Sequence, residues 1–195
     1  MYEIIGFITV VIAIVTHIPY LVQTIKGEIK PHPFTWILWT LLTLIIFFAQ
    51  FSDGAGPGAW GTGIIGVICI FITIACLRYG FENIKKSDVV LFVIGLATIP
   101  LWLITNDPTL SVLIITAIDV SAFFPTFRKS YMKPYDEPVY LYISNIVRHG
   151  LSLFAIVNLT IATVTFPFVI MFVNIGLTGF LIWRRKILKD KTHDT

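Results

Sequence analysis

The stretch 109-TLSVLIITAIDVSAFFPTFRKSY-131 decides the fold. It follows the turn Asn106-Asp107-Pro108, runs through a long apolar series and leaves it at Arg128-Lys129. Its length matches the roughly 20 residues that a helix needs to cross hydrocarbon. Two residues interrupt the apolar pattern: Asp119 near the middle and Pro125 close to the basic end. An acid at bilayer depth is costly unless paired or hydrated, so it marks a site. The rest of the chain has the same character. Hydrophobic residues fill 56% of the 195 positions and charged residues only 13%, against about a quarter charged in an ordinary globular domain. No soluble core of this size hides so much apolar surface. A soluble enzyme, a nucleic-acid binder and a disordered chain are excluded.

Seven apolar runs separate at turn residues or charges: Ile4–Ile25, Phe34–Phe51, Ala59–Tyr79, Asp88–Thr105, Thr109–Tyr131, Glu137–Val157 and Val164–Trp183. The breaks contain Lys26-Gly27, Pro31-His32-Pro33, 52-SDGAGPG-58 and Asn106-Asp107-Pro108, residue types that end helices or begin them. The basic residues test this count. Alternate loops carry Lys26 and Lys30; Arg78, Lys85 and Lys86; Arg128, Lys129 and Lys133; and Arg184, Arg185, Lys186, Lys189 and Lys191. The other loops hold Glu3, Asp53 and Asp107 and no lysine or arginine, so thirteen of the 14 basic residues share one side and only Arg148 lies inside a run. Lysine and arginine in short loops face the cytoplasm. The expectation is an all-α membrane protein of seven transmembrane helices, with its N-terminus outside and its C-terminus in the cytoplasm, in a cell membrane of the bacterial inner-membrane kind. The first run lacks the basic n-region and small-residue cleavage site of a signal peptide, and is expected to be retained. Cys69 and Cys76 are about 10 Å apart along a helix, too far for a disulfide.

An offset of 106 residues recurs. It carries Pro19 to Pro125, each near the basic end of its helix, and Arg78 to Arg184, each closing a third helix. It also carries Phe34 to Tyr140, Trp36 to Tyr142 and Ala49 to Ala155. The division that follows is a three-helix unit over 1–79, a linker with a fourth helix over 80–108, a second three-helix unit over 109–186 and a cytoplasmic tail over 187–195. An odd linker helix makes the two units parallel repeats about an axis along the membrane normal. This three-plus-one-plus-three layout, with a proline near the cytoplasmic end of each unit's first helix, resembles the SWEET, or PQ-loop, transporter superfamily, which includes carriers of the PnuC type. Asn174-Ile175-Gly176 with Gly179 is similar to the pattern of that family's last helix. The family's Pro-Gln pair is replaced here by Pro19-Tyr20 and Pro125-Thr126. The resemblance implies a carrier of small solutes working by alternating access.

Polar residues within the runs are the candidate site. Asp119, Arg148, His149 and Asn174 lie at similar depth, and Asn145 sits three residues before Arg148, on the same helix face. Together they suggest a central aqueous or ligand-filled cavity. The offset places Ala13, Leu42, Thr43 and Ile68 opposite Asp119, Arg148, His149 and Asn174, and Trp39 opposite Asn145. One unit then presents charge while the other presents an aromatic and aliphatic wall, with Trp36, Trp39 and Trp60 contributing to it or to the interfacial belts, a chamber suited to a small amphiphilic solute. The substrate-binding set is Asp119, Arg148, Asn145, His149, Asn174 and Trp39. Asp119 and Arg148 form either a purely structural ion pair or a pair that binds solute or exchanges a proton. His17 is either a proton relay acting with Asp119 or a satisfied hydrogen-bonding residue. Pro19 and Pro125 are hinges or fixed kinks. Gly61, Gly63, Gly66, Gly176 and Gly179 allow close helix approach, and Arg184-Arg185-Lys186 is a topology anchor with affinity for anionic lipid.

The function expected from these residues is transport of a small polar or amphiphilic solute, with proton coupling open through Asp119 and His17. A ligand-binding receptor of the same fold is the alternative. A retinal photoreceptor is excluded, because the last run holds no lysine for the Schiff base. No enzyme pattern and no metal-ligand spacing stands out, so neither cofactor nor metal is expected. The partners are the solute and the bilayer, with no nucleic acid; a homo-oligomer is compatible with so apolar a surface.

Overall fold

A computed structural model describes residues 1–28, 33–79, 86–105, 107–132, 134–136 and 139–193, and for part of the helical residues the backbone alone. These residues form helices α1 (Tyr2–Ile25), α2 (Pro33–Ser52), α3 (Trp60–Tyr79), α4 (Lys86–Thr105), α5 (Pro108–Met132), α6 (Val139–Ala155) and α7 (Ile161–His193), with short 3-10 turns at Gly56–Ala59 and Pro134–Asp136. Lys30, Pro31, His32, Lys85, Asn106, Lys133 and Glu137 lie outside the described residues. Among the described residues there is no strand, and three segments are long and apolar enough to cross a membrane: Tyr2–Ile25, Gly56–Arg78 and Ile161–Lys189. Shorter apolar stretches run over Trp36–Ser52 and Pro108–Ser121.

The surface is that of a membrane protein turned to lipid. Phe7, Val11 and Val15 of α1, Phe71, Ile74 and Leu77 of α3, and Phe168, Phe172 and Ile182 of α7 are all exposed. Meanwhile Thr9, Gln50, Thr116, Arg148, His149, Ser152 and Asn174 are buried. A water-soluble monomer rarely displays a contiguous apolar surface beyond a few hundred Å². Hydrocarbon accepts it.

Proline and aspartate set two helix starts. Pro33 is the first residue of α2 and Pro108 the first of α5, where the missing N–H costs nothing. Asp107 caps α5, its Oδ1 accepting from the Thr109 N–H at 2.8 Å and the Leu110 N–H at 3.3 Å. α7 opens on a reciprocal threonine cap: Thr163 Oγ1 accepts from the Thr160 N–H at 2.9 Å, and Thr160 Oγ1 from the Thr163 N–H at 3.2 Å.

Packing is symmetric under exchange of α1 with α5, α2 with α6 and α3 with α7. Helix α3 packs against both α1 and α2, and α7 against both α5 and α6. The two groups meet along two seams, α1 with α6 and α2 with α5, and α4 lies across the second, touching both α2 and α5. Burial follows the same exchange. Residues 106 apart are buried together at Thr24 and Ser130, Trp36 and Tyr142, Leu42 and Arg148, Ile46 and Ser152, Ala49 and Ala155, Ile68 and Asn174, and Ile72 and Thr178.

The seams differ in chemistry. Leu38, Leu42, Ile45, Ile46 and Ala49 of α2 form one apolar cluster with Val112 and Ile115 of α5. The α1–α6 seam is polar. At Gly61 of α3, an added Cβ would lie 2.7 Å from Thr9 Oγ1 and 3.7 Å from Ser152 Oγ, so α1, α3 and α6 converge there around two hydroxyls. Further along, His17 is within electrostatic range of Arg148 and His149.

One end of the bundle is interlocked. The turn between α2 and α3 docks on the turn between α6 and α7: Val157 N–H donates to Ala55 O and Asn158 N–H to Gly54 O, both at 3.2 Å. Asn158 Nδ2 donates to Asp53 O at 3.0 Å, the Thr160 hydroxyl donates to the Asp53 carboxylate, and Gln50 Nε2 donates to Thr163 O at 3.2 Å. Gly54 and Gly56 adopt φ of 82° and 57°, the left-handed region that lets the turn present its carbonyls to the other loop.

One expectation is corrected and one is filled in. Helix α7 continues past the apolar run Val164–Trp183 to His193, so most of the segment expected as a tail over 187–195 is helical, because Arg184–Lys189 are good helix formers with no glycine or proline to end the helix. Arg184 Nε donates to Tyr131 O at 2.9 Å, and Arg185 to Pro134 O at 2.9 and 3.1 Å; both arginines therefore dock α7 onto the end of α5. The glycines divide as well. Gly63 and Gly66 face Phe47 and Leu44 of α2 at distances that exclude a side chain, whereas Gly176 and Gly179 have nothing within 4 Å of an added Cβ.

Candidate functional site

Helices from both symmetric groups supply the interior polar residues. Arg148 is 6% exposed, His149 2% and Asn174 0%, while Asp119 and Asn145 are half-buried. Asn145, Arg148, His149 and Ser152 recur every three or four residues and so form one stripe of α6, with Ser152 near the meeting of α1 and α3 and His149 against α7.

Asp119 and Arg148 do not pair. Asp119 is half-buried in α5, with Trp39 of α2 near enough to influence its carboxylate. The Arg148 guanidinium stays on its own helix, with Nη2 3.4 Å from Asn145 Oδ1 and 2.8 Å from His149 Nε2. Sequence gives the depth of each residue but not the direction in which each helix turns it; hence the ion pair anticipated above is replaced by two separate charges. They share a neighbour, since Cys69 of α3 is within electrostatic range of both.

Arginine is only a donor, so the 2.8 Å contact requires His149 Nε2 to accept and Nδ1 to carry the proton. The unsatisfied buried atoms are then informative. Arg148 Nε and Nη1, His149 Nδ1 and Ser152 Oγ have no hydrogen-bond partner. In α7, Asn174 Nδ2 donates to Ile170 O at 2.7 Å and Oδ1 is left without a donor. Buried polar groups normally find partners, and orphaned ones point to a ligand or ordered water. His149 is fixed by an edge-to-face contact with Phe166 of α7, ring centroids 5.6 Å apart.

His17 is already engaged: its Nδ1 donates to Ala13 O at 3.0 Å and lies 2.9 Å from Thr16 Oγ1. Trp39 stands edge-on to Trp36 at 5.2 Å, and Tyr20 lies 5.1 Å from Trp36, an aromatic wall facing Cys69. Trp60 is apart from it, in an apolar crevice with Val10, Phe47 and Ile64 of about 380 Å³. A second recess of about 160 Å³ is lined by Val120, Phe123, Phe127, Val173 and Gly176. Neither crevice is lined by Asp119 or Arg148. Pro19 lies within an unbroken α1 and Pro125 within an unbroken α5; Pro100 in α4 and Pro167 in α7 are further internal prolines that sequence reasoning passed over. Among the described residues, no three His, Cys, Asp or Glu side chains cluster as a metal site.

Sequence reasoning also passed over Ser152 and the interlock of Asp53 with Thr160. A signal existed for both. Ser152 continues the spacing of Asn145 and Arg148, and the 106-residue offset puts Gly54 and Thr160 at equivalent points of two turns. Comparison of the chain with protein families, curated proteins and solved structures finds no match.

Proposed function

We propose that the chain is a membrane carrier of seven transmembrane helices, arranged as two parallel three-helix repeats joined by α4, that moves a small polar or amphiphilic solute by alternating access. The SWEET-like layout read from the sequence, with its outside N-terminus, belongs to this proposal. Its supports are the exchange symmetry of helix packing, the paired burial of residues 106 apart and the one-sided basic loops. The observation that carries it is Arg148: a guanidinium 6% exposed, facing the seam between the repeats, with two nitrogens lacking any partner. An arginine held this way in hydrocarbon is costly and marks a pathway or site. Asp119 and Trp39 face the solute from the other seam, and Asn174 supplies an acceptor.

Reconstitution into liposomes tests the proposal. The wild-type protein is expected to move a solute that also stabilises it, and Asp119→Asn is expected to reduce flux to background or to erase its pH dependence. Binding without flux would identify a receptor instead, and unchanged flux in Asp119→Asn removes Asp119 from the mechanism.

A further inference from the structure

We infer that the solute carries a carboxylate, and that the carboxylate is held by Arg148 with help from His149 and Ser152. The inference rests on the solute-binding role proposed for this site and names its chemical class. Three observations carry it. Among the described residues, no carboxylate lies within salt-bridge distance of Arg148, whose hydrogen-bond partners are Asn145 and His149. The orphaned atoms on this face of α6 are donors: Arg148 Nε–H and Nη1–H₂, and, by the tautomer fixed above, His149 Nδ1–H, with the Ser152 hydroxyl free to donate as well. All belong to side chains more than nine-tenths buried. A cationic cluster of donors without acceptors is complementary to an anion. Nε and Nη1 lie on different edges of the guanidinium, so a carboxylate would take one charge-assisted hydrogen bond from it and fill its second oxygen from His149 Nδ1–H or the Ser152 hydroxyl.

The charge balance narrows the class. One unpaired guanidinium calls for one negative charge. A monocarboxylate supplies one; a phosphate dianion brings two. A neutral solute would leave the guanidinium uncompensated.

The test compares acids with their uncharged isosteres on the purified full-length protein in detergent. Acetate, butyrate and benzoate are titrated beside acetamide, butyramide and benzamide, with phosphate and sulfate as further arms, reading melting temperature and calorimetric binding. The acids are expected to bind about tenfold or more tighter than the amides, the scale of one to two charge-assisted hydrogen bonds. Arg148→Gln is expected to remove that preference, since it removes the charge, and Ser152→Ala to weaken the acids alone. Equal binding of acid and amide in the wild-type protein, no binding of any acid, or stronger binding of phosphate or sulfate overturns the inference. The outcome is separable from transport. Acid-selective binding without flux sustains the carboxylate site and ends the carrier proposal, while flux of a neutral solute with no acid preference does the reverse.

Discussion

Replacing Arg148 by leucine is expected to raise the melting temperature of the purified protein while abolishing solute binding and transport. The wild-type residue is a buried cation with no counter-ion and two orphaned nitrogens, an arrangement that destabilises the fold it sits in. Leucine is what the other repeat places at the equivalent position, where Leu42 is 2% exposed and packed among Ile45, Val112 and Ile115. Exchanging buried charge for a well-packed apolar residue typically stabilises by about 1–4 kcal/mol, and each kcal/mol moves the melting temperature by about 2–4 °C at this chain length. Part of the gain is offset by the loss of the packed arginine stem. A gain in stability combined with loss of function identifies a group kept for its ligand. A fall of several degrees, with ligand response retained, would show instead that Arg148 holds α6 in place.

The second large effect is expected at Gly58. An added Cβ there would lie 2.5 Å from Ile156 Cγ1 and 2.9 Å from both the Cα and the backbone N of Ile156. A side-chain tip can rotate away, but the backbone of Ile156 is held by the neighbouring Val157–Ala55 hydrogen bond. Gly58→Val must therefore separate the two turns, at a cost of about 3 kcal/mol or more, in the range of severe overpacking. Ala55, fully buried beneath the interlock, provides the reporter. Ala55→Cys should resist maleimide in the parent protein and react quickly once Gly58→Val is added, against a background in which Cys69 and Cys76 are buried. Thr160→Val, which deletes one side-chain hydrogen bond and keeps the backbone pair, should cost only about 1 kcal/mol. Unchanged melting and unchanged protection in Gly58→Val would mean that the turns part without consequence.

Helix positions were legible because their signals are local. Pro33 and Pro108 begin helices in the structure as they do on paper, and the apolar runs coincide with α1 to α5 to within about two residues. The depth of Arg148, His149 and Asn174 was legible for the same reason. What escaped was set by helix rotation and by contacts distant in sequence. Asp119 does not reach Arg148 because α5 packs on α2, α4 and α7 rather than on α6, and nothing in either run encodes that azimuth. Asp53 and Thr160, 107 residues apart, meet only through the tertiary fold. Gly176 looked like a packing glycine because it shares its type and spacing with Gly63, yet only Gly63 has a neighbour against it. The continuation of α7 past Trp183 was overlooked since hydropathy reports where lipid ends, not where a helix does.

If the chain is the carrier proposed above, the unequal seams dictate how its two helix groups part. Separating α2 from α5 would bare Leu38, Leu42, Ile45 and Ile46 to water, and α4 straddles that side. Separating α1 from α6 would bring water to hydroxyls, imidazoles and a guanidinium, groups that welcome it. Such a carrier would be bound like a book: the greasy side its spine, the polar side its fore-edge, with the pages turning toward Arg148.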